Sequence, residues 1–345
     1  MNLGFAFLQL SRFEDAEREA REVFERRCQL FGDTSPEAAR SAVPLAQSIL
    51  AHGRFKEAYD LLQQFSGDEA LPEIGILMDS IGTQLLLAEG RLAEARELAE
   101  YVFDDSIAFY GERHPQAIEA TEILAKVMIA QRDFDLAQGH LETTYKLRNE
   151  IYGADSPLTW RTANNLAVVL GYQGIREQQE ALLRDCLPRM RSEWGESHEE
   201  VLNASNNLAC CLSATGRIDE ALPLYLDVLH GAEEKYGAKS VKYVTALNNL
   251  AFTYQRGGKL EEAARYFVEL DSLLDDVLPP EHYLAAAFRL NAGRVLVALD
   301  RFEEAVRVLQ LSLQGFLAIQ GEEGPQVFAV RALLEDAGAT SLNSD

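Results

Sequence analysis

The chain has 345 residues, a length that ordinarily means two domains rather than one compact core. Its 47% hydrophobic and 25% charged residues are folded-protein values, and only 23 Gly and 10 Pro favour helix. The net charge of −23 excludes binding to nucleic acid or anionic membrane through a basic footprint, and no apolar run reaches the roughly 18 residues of a membrane helix.

The first segment, Met1 to Leu10, is apolar but has no basic start and no small-residue cleavage site, so it is not a signal peptide. It belongs to the first of a series of repeats. A motif Gly-basic-apolar-x-Glu-Ala appears at Gly53 to Ala58 and Gly90 to Ala95, and returns at Gly216 to Ala221 and Gly258 to Ala263. Looser copies end at Ala16, Ala137 and Ala305, and a degenerate one at Gln179. The steps between these final positions are 42 residues, except 37 between Ala58 and Ala95.

Twelve residues before each lies a second small residue: Gly4, Ala46, Thr83, Ala125, Ala167, Ala209, Ala251 and Gly293. Paired small residues let two antiparallel helices, A and then B, approach closely. Gln179 should loosen its pair, and Pro188 should kink its helix B. A third marker, a Gly-x-x-Ser/His-Pro turn, recurs at Gly32 to Pro36, Gly111 to Pro115 and Gly153 to Pro157. Gly stops one helix there, Ser caps the next and Pro suits its first turn. The short step replaces this turn with Phe65 to Pro72, and a last helix from about Pro325 to Ala337 reads as a cap.

These residues resemble the tetratricopeptide repeat, as in Leu250-Ala251-x-x-Tyr254 followed by Ala263-x-x-x-Phe267. The 42-residue period and the Asn-Asn-Leu-Ala at Asn164, Asn206 and Asn248 are similar to the kinesin-light-chain-like subclass. The resemblance implies an all-α superhelical solenoid of about eight helix-turn-helix repeats plus a C-terminal capping helix, with an inner face that binds peptides or protein segments. One array is expected over residues 1–338, with a frayed tail over 339–345. The chain lacks the N-terminal heptad region that a kinesin light chain uses to hold its heavy chain. Arrays of this period also form the C-terminal portions of larger bacterial signalling proteins, so a regulatory or sensory portion of such a protein is the alternative reading.

The binding face follows from helical rotation. Asn165 stands two residues before Ala167 and points away from helix B, on a stripe with Arg161, Val168 and Tyr172. The next units place Asn203, Asn207 and Cys210, then Asn249, Phe252 and Arg256, then Asn291 and Arg294, on this stripe. Earlier units place Gln47, Leu77, Ile81, Gln84, Glu119, Ile123 and Lys126 there. Asn165, Asn207, Asn249 and Asn291 form a ladder, and an amide can both donate to and accept from a peptide backbone. Asn in this register commonly contacts bound peptide in the family that the sequence resembles. Arg161, Arg256 and Arg294 favour a carboxylate-bearing segment.

No catalytic site, metal site or cofactor is expected. His114, His198 and His282 recur 84 residues apart in turns too far from one another to share an ion, and hydrogen bonding within the turn is the better role for them. No HExxH, GxSxG, GxGxxG or P-loop pattern occurs. Glu261-Glu262 and Glu303-Glu304 follow the repeat as solvated faces, and Cys210 has no evident base. Cys28, Cys186, Cys210 and Cys211 read as reduced thiols of a cytoplasmic protein. Only three residues precede Gly4, so helix A of the first repeat is truncated. An N-terminal extension or self-association is expected to cover that end.

Overall fold

The computed structural model describes residues 13–51, 54–66 and 71–341. The first helix A, expected to be truncated, and the end of the tail lie outside them. The described chain forms sixteen α-helices and no strand, in two compact units that divide after Ile175. Unit 1 holds α1 (Phe13–Phe31), α2 (Pro36–Ala51), α3 (Phe55–Gln63), α4 (Pro72–Ala88), α5 (Leu92–Tyr110), α6 (Pro115–Ala130), α7 (Phe134–Tyr152) and α8 (Pro157–Gln173). Unit 2 holds α9 (Arg176–Trp194), α10 (Glu199–Ala214), α11 (Ile218–Tyr236), α12 (Val241–Arg256), α13 (Leu260–Val277), α14 (Tyr283–Ala298), α15 (Phe302–Gln320) and α16 (Pro325–Ser341). Odd numbers are B helices and even numbers A helices, α16 being the expected cap.

Each part of the repeat motif has a visible job. Gly90, Gly216 and Gly258 adopt left-handed φ at the A-to-B turn. The next residue holds the N-cap position of helix B, and where it is Arg its guanidinium grips the Glu three residues on. Arg54 Nε meets Glu57 Oε2 at 2.7 Å, and Arg217 Nε meets Glu220 Oε1 at 2.7 Å. Arg91 and Glu94 form the same clip. These exposed pairs define the turn more than they stabilise it.

The small residues are where the packing argument requires them. Ala46, Thr83, Ala125, Ala209 and Ala251 on the A helices are sealed from solvent, as are Ala58, Ala95, Ala137, Ala221, Ala263 and Ala305 on the B helices. At Gly293 a Cβ would stand 2.4 Å from Leu309, so α14 and α15 close to a distance that only Gly permits. Gln179 is buried, its Oε1 accepting from Arg176 at 2.9 Å. Helix α9 remains helical through Pro188 to Trp194.

The B-to-A turns alternate two caps. Backbone amides of Gln116, Glu200 and Leu284 donate to Nδ1 of His114, His198 and His282 at 3.4, 3.3 and 3.1 Å. Ser35 and Ser240 do the same work through Oγ, accepting from Ala38 and Tyr243. An aromatic ring four residues earlier covers two of the imidazoles. Tyr110 stacks on His114 with centroids 4.5 Å apart, and Trp194 on His198 at 4.7 Å. The 84-residue recurrence of His is therefore a recurrence of N-caps.

The short step shows as a short helix. Helix α3 has 9 residues against 19 in α1, α5 and α7, and Pro72 then opens α4 from an extended Leu71.

Candidate peptide-binding face

The A-helix stripe is accessible along the A helices of unit 2 and on α8. In unit 2, Asn203, Asn207, Thr245, Asn249, Ala287 and Asn291 are half-buried, and Cys210, Phe252, Arg256 and Arg294 are exposed. The residues that flank them along the helices, such as Ala204, Leu208, Ala246 and Leu250, are buried. In unit 1, Arg161 and Asn165 are half-buried on α8, and Tyr172 is 62% exposed while stacking on Phe134 at 4.9 Å.

The Asn residues of unit 2 bond to one another across repeats. Asn291 Nδ2 donates to Asn248 Oδ1 (3.1 Å), Asn248 Nδ2 to Asn249 Oδ1 (3.3 Å), and Asn249 Nδ2 to Asn206 Oδ1 (2.9 Å). The result is an amide chain over α10, α12 and α14. Each amide has two donor hydrogens and two acceptor lone pairs, so Asn249 keeps one of each for a ligand. In unit 2 the first Asn of each Asn-Asn pair, Asn206 and Asn248, is thus the acceptor for the next repeat. That role needed the repeat offset of 43 residues between partners and was not read from the sequence. Arg256 is held lightly, Nη2 reaching Ala214 O at 3.4 Å.

The stripe takes a different form in unit 1, where it opens into a cavity of about 350 Å³. Helices α2, α4, α6 and α8 supply the walls, and stripe residues Gln47, Leu77, Gln84, Ile123, Lys126 and Arg161 line it. Only Arg161 of these belongs to the expected site; the amide ladder drew attention to the C-terminal repeats. The signal that could have found the cavity is the loss of the ladder, since Pro44, Ile81 and Ile123 occupy the Asn register here.

Beside the cavity lies a buried ionic cluster. Arg148, 2% exposed, donates through Nη1 to Glu122 Oε1 (2.9 Å), Thr162 Oγ1 (2.8 Å) and Leu158 O (3.0 Å). Burial opposes charge on Glu122, but Arg148, Arg161 and Lys126 around it hold its carboxyl below the usual range. Glu122 Oε2 and Arg148 Nε have no hydrogen-bond partner. Tyr110, half-buried, also lines the cavity, and desolvation with the nearby Glu73 charge pushes its phenol up to about 12.

Among the described residues, no group of three or more His, Cys, Asp or Glu is placed to hold a metal ion. No described helix is long and apolar enough to cross a membrane. All four cysteines are free, Cys210 exposed and Cys186 and Cys211 buried. Burial raises the Cys186 thiol to about 12, the opposite of an activated nucleophile.

Three matches to tetratricopeptide-repeat family models cover residues 1–37, 200–270 and 286–310. No curated protein sequence matches the chain. Among solved structures, a Rap protein complexed with competence and sporulation factor superposes with TM-score 0.68 at 12% identity, covering 100% of this chain and 98% of that one. NprR in complex with its cognate peptide NprX gives 0.62 at 15% identity, with 90% and 99% covered. Kinesin-light-chain-type TPR-like repeats from Podosopora anserina give 0.51 at 19% identity, with 57% and 93% covered. Tetratricopeptide-repeat models thus match three stretches of the chain, and its fold is similar to that of kinesin-light-chain-type TPR-like repeats.

Proposed function

We propose that this protein is a non-enzymatic interaction scaffold that takes an extended peptide or protein segment along its A-helix stripe, in a reducing, cytoplasmic setting. The observation that carries this reading is the half-buried amide chain of unit 2, which fixes side-chain amides in place yet leaves them hydrogen-bonding capacity. Holding the amides before a ligand arrives lowers the ordering cost of binding. Exposed Arg256 and Arg294 on the same stripe favour a segment that bears carboxylates. The complexes of Rap and NprR with peptide ligands show that folds of this kind can accept a peptide.

Selection from a displayed library of random dodecapeptides tests the reading. Enrichment of Asp- and Glu-containing peptides is expected, with affinity falling about tenfold in Asn207→Ala/Asn249→Ala or in Arg256→Ala/Arg294→Ala. Helix content by circular dichroism guards against misfolding. Selected peptides that bind these variants and the parent equally would defeat the assignment of the stripe. A second reading, the regulatory or sensory portion of a larger signalling protein, draws on the fold similarity to the quorum sensor NprR. A catalytic domain encoded in frame with this chain would favour it.

A further inference from the structure

The cap helix α16 continues the A-helix register without a helix B of its own among the described residues. Phe328 stands 42 residues after Ala286, whose series runs back through Val244, Leu202, Trp160 and Ile118 to Ile76. Those earlier residues are all 7% exposed or less, whereas Phe328 is 56% exposed. The register faces the helix B of the same repeat. A Cβ on Gly315 of α15 would stand 2.9 Å from the Ala286 Cβ, and one on Gly231 of α11 would stand 2.5 Å from Leu202 Cδ2. On α16 this contact has no counterpart among the described residues.

The exposed residues of α16 form one stripe. Pro325, Phe328, Ala332, Glu335 and Asp336 fall within about 100° of the helix circumference, opposite buried Val327, Val330 and Ala337. Glu335 occupies the position that Gly293 holds in the preceding repeat. Helix pairs of the array cross there on small residues, so Glu335 bars a further helix B in the usual register. One turn earlier Ala332 is small and exposed, and a helix can approach α16 closely at that point. Arg331 borders the stripe on the Glu335 side and meets Glu322 in an exposed ion pair. Such a pair is worth little and exchanges partners readily. Helix α16 carries one Arg and two acids, so copies of a chain of net charge −23 meet here with little local repulsion.

We propose that α16 is a self-association surface, on which a second copy of the chain docks its own α16 antiparallel about a twofold axis near Ala332. Each α16 then takes the place beside Phe328 that a helix B takes beside Ala286. Phe328 of each copy lies on Ala332 and the methylene stem of Glu335 of the other. Arg331 and Glu335 share one flank of the stripe. A twofold axis perpendicular to both helices keeps that flank on the same side in both copies, so Arg331 of each faces Glu335 of the other. These residues are about 6 Å apart along one helix, so both ion pairs form within a turn of the axis. This reciprocity singles out a second copy as the occupant, because the helix supplies the charge complement of itself. A single helix pair buries less than the roughly 800 Å² per partner of a standard interface, so a dissociation constant of roughly 10–100 μM is expected. The inference does not depend on what the A-helix stripe binds.

The test is analytical ultracentrifugation of the whole chain from about 1 to 200 μM, with circular dichroism of every variant. The weight-average mass should rise from one chain toward two. Phe328→Glu, at an exposed site, should weaken association about tenfold or more. Arg331→Glu and Glu335→Arg should each weaken it about tenfold, since each puts like charges opposite one another. An equimolar mixture of those two variants should regain association to within about threefold of the parent, because every charge again meets its opposite across the axis. Should Phe328→Glu misfold, the mixture carries the same information without it. A parent chain that stays monomeric over the whole range would overturn the proposal, as would a ninth helix supplied by another protein as its occupant. A dimer that the three variants leave intact would place the contact elsewhere and also overturn it. So would a mass that rises beyond two chains, because a closed twofold contact stops at two.

Discussion

Two residues before the small residue of each helix A, unit 2 carries Asn207, Asn249 and Asn291, while unit 1 carries Pro44, Ile81 and Ile123 before ending in Asn165. The same geometric slot serves a hydrogen-bonded amide chain in one unit, while in the other its residue Ile123 lines a cavity. Their buried guanidinium groups differ in parallel. Arg289 of unit 2 donates to Asp271 (3.0 Å) and Asp275 (2.6 Å), and Arg307 satisfies the second Asp271 oxygen at 2.8 Å. Arg148 of unit 1 binds one Glu122 oxygen and leaves the other, with its own Nε, unpartnered. A satisfied network locks packing, whereas an incompletely satisfied one leaves buried polar atoms that add cost rather than stability.

The largest effects should break this contrast directly. Arg289→Met leaves buried Asp271 with Arg307 as its one remaining cation and should cost about 3 kcal/mol, read as lost hydrogen-exchange protection in α13 and α14. The double replacement Glu122→Leu/Arg148→Met in unit 1 removes both charges and should be neutral or stabilising by about 1–4 kcal/mol, measured by exchange in α6 and α7. If the unit 1 double variant collapses as Arg289→Met does, the two clusters are equivalent and the contrast is lost.

Exchanging the register residues comes next. Asn249→Ala removes the bond to Asn206 and the one from Asn248, about 1 kcal/mol each, and should loosen α10 and α12 together. Ile123→Asn places an amide in an apolar site, 3% exposed, at a cost of about 1–3 kcal/mol. Thermal melts with residue-level exchange separate the two.

The His caps should give both units a common acid limit. Burial holds His114 and His198 below their ordinary 6.5, with the Lys235 charge adding to the effect at His198. The unfolded state therefore binds protons first as pH falls. The caps' contribution is complete above about pH 6.5 and is lost as pH drops through the depressed folded-state values. Protonation also removes the Nδ1 acceptor and sets positive charge at a helix N-terminus. Replacing His114 and His198 by Ser, the cap at Ser240, should flatten stability across pH 4–7; an unchanged profile would show that the caps do not set it.

The smallest effect compares two turns. Arg132 (φ +69°) in unit 1 and Asp300 (φ +57°) in unit 2 take the left-handed conformation that Gly holds elsewhere. Gly at either should stabilise by about 1 kcal/mol or less, and more at Arg132, because Asp tolerates this region better. Equal melting shifts would remove that distinction.

Much of the fold was legible because paired small residues and turn glycines act locally: Ala46 with Ala58, or Ala251 with Ala263, constrain the helix pair within twelve residues. The stripe followed by rotation from those anchors. The amide chain did not, since it depends on which residue of one repeat lies beside which residue of the next. Nor did the cavity, which is made by side-chain volume missing between four helices. Arg148 was likewise invisible, because an Arg near the end of a B helix ordinarily reaches solvent. The expected truncation of the first helix A falls outside the described residues.

The inter-repeat bonds have a consequence for how the molecule is made. Arg217 reaches Glu180 across 37 positions, Arg307 reaches Asp271 across 36, and Asn291 reaches Asn248 across 43. Each such partner becomes available once about one further repeat has been synthesised. On the ribosome, emergence of each new helix pair can complete the contacts of the one before it, without waiting for the C-terminus. A stalled or prematurely released chain would therefore carry finished repeats behind a single unfinished edge, and the exposed apolar surface presented to chaperones would be one repeat wide whatever the length already made.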